Sequence, residues 1–150
     1  MSQLNEDILK KIEQAVELSE SGKIKEALEI YISLLEYEIP EVYNNIGNLY
    51  RREGMLGKSI EMYRKAIQLD PNFSLPYFNL ACALMEIEKY NEAILFFEKA
   101  EKLGLESFDL HVQLALCYLA TGNISKAKKL MEDEKVRCEV QKYVEGDVFR

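Results

Sequence analysis

Residues 40–73, Pro40-Glu-Val-Tyr43-Asn-Asn-Ile46-Gly47-Asn-Leu-Tyr50-Arg-Arg-Glu-Gly54-Met-Leu56-Gly-Lys-Ser59-Ile60-Glu-Met-Tyr63-Arg-Lys-Ala66-Ile67-Gln-Leu-Asp70-Pro71-Asn-Phe73, decide the fold. Tyr43, Ile46, Gly47 and Tyr50 fall at i, i+3, i+4 and i+7, which is one stripe of an α-helix. A polar break, Arg52-Glu53-Gly54-Met55, is followed by a second stripe of Leu56, Ser59, Ile60, Tyr63, Ala66 and Ile67. Asp70-Pro71-Asn72 closes it, because proline supplies no backbone donor and disfavours helix in the residue before it. The stretch therefore predicts two helices and a tight turn between them.

The same plan recurs along the chain. Tyr43, Tyr77 and His111 are 34 apart, as are Gly47, Ala81 and Ala115; Ser59, Ala93 and Ala127; and Tyr63, Phe97 and Met131. A step of 32 towards the N-terminus relates Gly22, Ile24, Ala27 and Tyr31 to Gly54, Leu56, Ser59 and Tyr63. About four copies result, over 8–39, 40–73, 74–107 and 108–141, within one domain spanning 1–150. The small residues on the two helices of each copy face one another, so the antiparallel pair approaches closely while the aromatics fill the gaps beside the contact. Lys11 and Gln14 occupy apolar places of the first copy and are assigned to its solvent side. A stack of hairpins needs capped ends. Val136, Val140, Tyr143 and Val144 predict a capping helix within 134–145, with Asp133 as N-cap and Gly146 as stop, or else the end of one long helix from Ile124.

The pattern of aromatic, Leu-Gly/Ala, Tyr, Gly, Ala, aromatic, Ala and Pro over 34 residues resembles the tetratricopeptide repeat (TPR). Copy two matches best, through Tyr43, Ile46, Gly47, Tyr50, Tyr63, Ala66 and Pro71, with Ser59 for the usual Ala. Copy three has Leu84 for Tyr and Leu105 for Pro, and copy four has His111 for the aromatic and Glu134 for a small residue. The resemblance implies an all-α, right-handed superhelix of about four helix hairpins plus a C-terminal cap. It also implies a concave groove, lined by the first helices, that holds a peptide segment of another protein.

The places flanking the Gly/Ala contact are expected at that groove. The residue two before it is Glu13, Asn45, Asn79 and Gln113; the residue after it is Val16, Asn48, Cys82 and Leu116; three before it stand Ile12, Asn44, Phe78 and Val112. Carboxamides donate and accept, so Asn45, Asn79 and Gln113 suit an extended backbone irrespective of its sequence. Phe78, Val112 and Leu116 form an apolar floor or else pack between repeats, and Cys82 is a candidate exposed thiol. Arg51 and Arg52 close the first helix of copy two, either to meet a carboxylate or as a solvated helix end. Members that grip chaperone tails carry Lys and Arg on the groove. Here Ile12, Phe78, Leu75, Val112 and acidic Asp109 stand at those places, which argues against an acidic-tail clamp.

Composition narrows the alternatives. With 26 Asp and Glu against 19 Lys and Arg, the net charge is -7, the wrong sign for nucleic acid or for an anionic membrane surface. No apolar run reaches the ~20 residues of a bilayer span, and the first residues lack a signal peptide's basic and apolar regions. Cys82, Cys117 and Cys138 form no CxxC pair, which suits a reducing, cytoplasmic home. His111 is the only histidine, so neither a catalytic triad nor a zinc site is expected; nor is a cofactor. Gly57-Lys58-Ser59 ends like a phosphate loop, but Arg52 stands where its first glycine belongs. Lys126, Lys128 and Lys129 read as a solvated face. The second functional reading is self-association through an apolar edge of Val136, Val140, Val148 and Phe149.

Overall fold

The computed structural model describes residues 2–144, and within them every regular element is helical. The elements are α1 (Gln3–Glu20), α2 (Ile24–Ser33), a 3-10 turn (Leu35–Tyr37), α3 (Pro40–Arg52), α4 (Leu56–Leu69), α5 (Ser74–Glu86), α6 (Tyr90–Lys102), α7 (Phe108–Ala120), α8 (Ile124–Leu130) and α9 (Glu134–Gln141). α1/α2, α3/α4, α5/α6 and α7/α8 pair as hairpins. α4 packs on α5 and α6 on α7, and the first helices α3, α5 and α7 also touch in succession.

The core follows the small-and-large alternation. Ala15, Ala27, Ala66, Ala81, Ala93, Ala100, Ala115 and Ala127 are wholly buried, and Tyr31, Tyr63 and Phe97 fill the gaps beside them. Ser59 is buried too, and its hydroxyl donates to the Gly47 carbonyl at 2.8 Å, which meets the cost of burying it. Lys11 and Gln14 are exposed, whereas Ile12 and Ala15 of the same helix are buried. Asp133 caps α9 by accepting from the Lys135 and Val136 backbone N–H groups, and the chain breaks between α8 and α9 rather than running on as one helix. Gly146 lies outside the described residues.

The turns inside the hairpins are Schellman caps. Met55 N–H donates to the Tyr50 carbonyl and Gly54 N–H to that of Arg51, with Gly54 at φ 76°. Copy four repeats this with Gly122 at φ 81°, but copy three puts Glu88 there, at φ 61°. The left-handed region costs a residue with a Cβ about 1–2 kcal/mol, less the ~0.5–1 kcal/mol that glycine loses in chain entropy. Glu88→Gly is therefore expected to stabilise by a few tenths to about 1 kcal/mol. A lower melting temperature for that variant would contradict the turn geometry.

Candidate functional site

α5 turns Phe78, Cys82, Met85 and Glu86 to one side, at intervals of three or four residues. Arg51 from α3 and Asp109 with Gln113 from α7 complete a hollow of ≈ 470 Å³. These are the first helices of three successive hairpins, so the hollow opens on the face they share. Its floor is braced from the core: the Phe78 ring meets Phe97 edge-on, with centroids 5.6 Å apart.

Of the residues expected at the groove, Arg51, Phe78, Cys82 and Gln113 are brought together here. Met85 and Glu86 join them without having been named as binding residues, and so does Asp109, read above only as an acidic groove place that argues against an acidic-tail clamp. A spacing signal for them existed: Glu86 lies one turn beyond Cys82, Asp109 one turn before Gln113, and Met85 is the 34-residue counterpart of Arg51.

The carboxamides are already engaged within the protein. Asn79 Nδ2 donates to Asn44 Oδ1 at 3.0 Å, Asn45 Nδ2 donates to the Tyr31 hydroxyl at 3.3 Å, and Asn48 Oδ1 accepts from the Tyr63 hydroxyl at 2.6 Å. Among the described residues only Gln113, of the expected row Asn45, Asn79 and Gln113, has no side-chain hydrogen bond. The amide row is thus partly a set of struts between helices.

Four expectations need correction. Asn44 is 3% exposed and offers no surface, because its side chain is turned in to hold Asn79. Val112 is 2% exposed and belongs to the core, since its place on α7 packs between hairpins. Arg52 turns away to donate from Nη1 to the Ser19 carbonyl at 3.0 Å, a second donor to an acceptor that also takes the Gly22 N–H at the end of α1. Cys82 lines the hollow and is half-buried; burial raises its pKa, and the neighbouring Arg51 only partly offsets this. Leu116 is half-buried against the core. The apolar edge is also lost in part, because Val136 and Val140 are buried; Val148 and Phe149 lie outside the described residues.

Arg51 is half-buried. Burial opposes its charge, but Tyr63, Cys82 and Glu86 beside it more than compensate, so its pKa rises and the guanidinium stays charged. Burial likewise pushes the Tyr63 phenol up to about 12, with Arg51 pulling the other way.

A second hollow of ≈ 450 Å³ lies at the N-terminal end, where Leu4, Ile8, Leu9, Ile12, Tyr37 and Ile39 are joined by Glu41. Among the described residues no three His, Cys, Asp or Glu side chains are grouped to hold a metal ion. No helix among them is long and apolar enough to cross a membrane.

Stacked helix hairpins with an open, mixed apolar and polar hollow define a protein-interaction scaffold. Residues 40–73 and 62–95 match tetratricopeptide-repeat family models, and the chain is a tetratricopeptide-repeat protein with the right-handed superhelical fold of that family. TPR repeat-containing protein MJ1428 of Methanocaldococcus jannaschii is 30% identical over 103 residues, covering 67% of this chain and 18% of that protein. BBSome complex member BBS4 of Xenopus tropicalis is 27% identical over 106 residues, covering 71% and 20%. The chain thus spans a fifth or less of these relatives. Among solved structures, the first TPR of Spaghetti (RPAP3), bound to the HSP90 peptide SRMEEVD, superposes with a TM-score of 0.73. It is 20% identical and covers 77% of this chain and 93% of that one. YrrB, a TPR protein with an unusual peptide-binding site, gives 0.65 at 26% identity, covering 72% and 60%.

Proposed function

We propose that this chain is a docking scaffold that holds an extended segment of a partner protein in the hollow between α3, α5 and α7. One observation carries the reading: Phe78, Cys82 and Met85 form an apolar floor, with Gln113 and charged groups at its margin. An apolar side chain of the guest sits on that floor, and the Gln113 carboxamide bonds the guest's backbone. The work is binding rather than catalysis. The solved TPR structure carrying an HSP90 peptide, and that of YrrB, support a peptide as guest. Three free thiols suit a reducing compartment such as the cytoplasm.

For a peptide selected against the intact chain, Phe78→Ala is expected to weaken binding at least ~10-fold, or about 1.4 kcal/mol. Leu95→Ala, at an exposed place on α6, should leave binding unchanged. Titration calorimetry measures both. Equal affinities for wild type and Phe78→Ala would put the guest elsewhere on the molecule.

A further inference from the structure

The charges around the hollow are unequal. Glu86 and Asp109 are both exposed at its margin, and neither enters an ion pair among the described residues. Among the described residues Arg51 is the single cation lining it, and it is half-buried. Arg52, the next positive side chain, is committed to the α1 terminus. Glu41, at the place in copy two that Asp109 holds in copy four, stands at the N-terminal hollow. A net charge of -7 adds a long-range field of the same sign.

We propose that the segment docked between α3, α5 and α7 is cationic as well as apolar: a Lys or Arg side chain beside an aliphatic or aromatic one. The inference rests on the groove reading above and specifies its guest. The apolar side chain lies on Phe78, Cys82 and Met85, while the ammonium or guanidinium reaches Glu86 and Asp109. Both carboxylates are exposed, so pairing them does not require stripping a charge of all its water. The pairing acts mainly on selectivity and association rate. An acidic segment or a free C-terminal carboxylate would gain Arg51 but meet two carboxylates at the same margin. This chain is thereby set apart from the solved neighbour that carries SRMEEVD.

The test is a bead-bound library of random short peptides, in one version amide-blocked and in the other with a free carboxyl end. Fluorescence anisotropy then follows on the best binders. The expected result is enrichment of Lys or Arg within two positions of Leu, Ile, Met or Phe. Glu86→Gln with Asp109→Asn should weaken the best binder ~10-fold and flatten its salt dependence, with an unchanged melting curve. Glu86→Lys with Asp109→Lys should turn the preference towards acidic peptides. Enrichment of Asp, Glu or free-carboxyl peptides overturns the inference, as does equal binding of neutral apolar peptides; both leave the groove reading standing. Binding of no peptide by the intact chain overturns the groove reading and this inference with it.

Discussion

Phe97→Ala is expected to destabilise the chain by about 3–5 kcal/mol, the range for removing a fully buried aromatic side chain. The ring is 0% exposed on α6 and lies in one cluster with Ala81, Leu84 and Ala93. Its neighbours stand on helices fixed by other contacts, so the space cannot close fully and part of it remains a cavity. For a chain of this size each kcal/mol lowers the melting temperature by about 2–4 °C, so the shift should reach at least ~6 °C. The loss extends to the hollow, because Phe78 rests edge-on against this ring. At a temperature where the variant remains folded, peptide affinity should also fall. Phe97→Leu should recover most of the stability but less of the binding, since it refills volume without a flat edge for Phe78. Phe96→Ala, at a half-buried place one residue away, should cost clearly less. Equal costs at 96 and 97 in thermal unfolding would mean that the buried face of α6 is misassigned.

The fold was readable because each copy repeats one packing problem. Gly47, Ala81 and Ala115 recur at a fixed step, and a recurring small residue is explained most simply by a recurring close contact between helices. The end of α9 and the left-handed conformation of Glu88 were less legible. A glycine at 54 and 122 announces the left-handed turn, but Glu88 adopts it under the constraint of the helices on either side. The candidate site was legible only in part. Register places Phe78, Cys82 and Gln113 on the inner side, but it says nothing of what each polar tip then touches. Asn44 and Asn79 look alike in the sequence; one is buried as the acceptor of the other's hydrogen bond, and only side-chain packing across α3 and α5 reveals it. Arg51 and Arg52 are adjacent, yet the helical step of about 100° sends them to different neighbours, one to the hollow and one to the Ser19 carbonyl.

Gly47→Ala tests the close contact itself. A Cβ built at Gly47 comes within 2.6 Å of Tyr63 Cε1 and 2.7 Å of Cδ1, well inside van der Waals contact. The ring has no easy retreat: it is 0% exposed, and its hydroxyl is tied to Asn48 at 2.6 Å. Either the ring leaves its rotamer and that hydrogen bond breaks, or α3 and α4 move apart along a contact that Ser59 also bridges to the Gly47 carbonyl. Overpacking of this kind costs about 1–3 kcal/mol. The other copies show the contrast. Ala81 and Ala115 stand opposite Phe97 and Met131, and Ala15 stands opposite Tyr31, whose hydroxyl accepts from Asn45; a methyl group is therefore accommodated in every other copy, and the demand for glycine at 47 comes from the approach of this particular ring. A double-mutant cycle in urea isolates the clash: Tyr63→Leu alone leaves a cavity, but it also removes the ring edge, so adding Gly47→Ala to it should cost at least ~1 kcal/mol less than in the wild type. Strictly additive effects would show that glycine at 47 serves the helix backbone and not the approach of Tyr63.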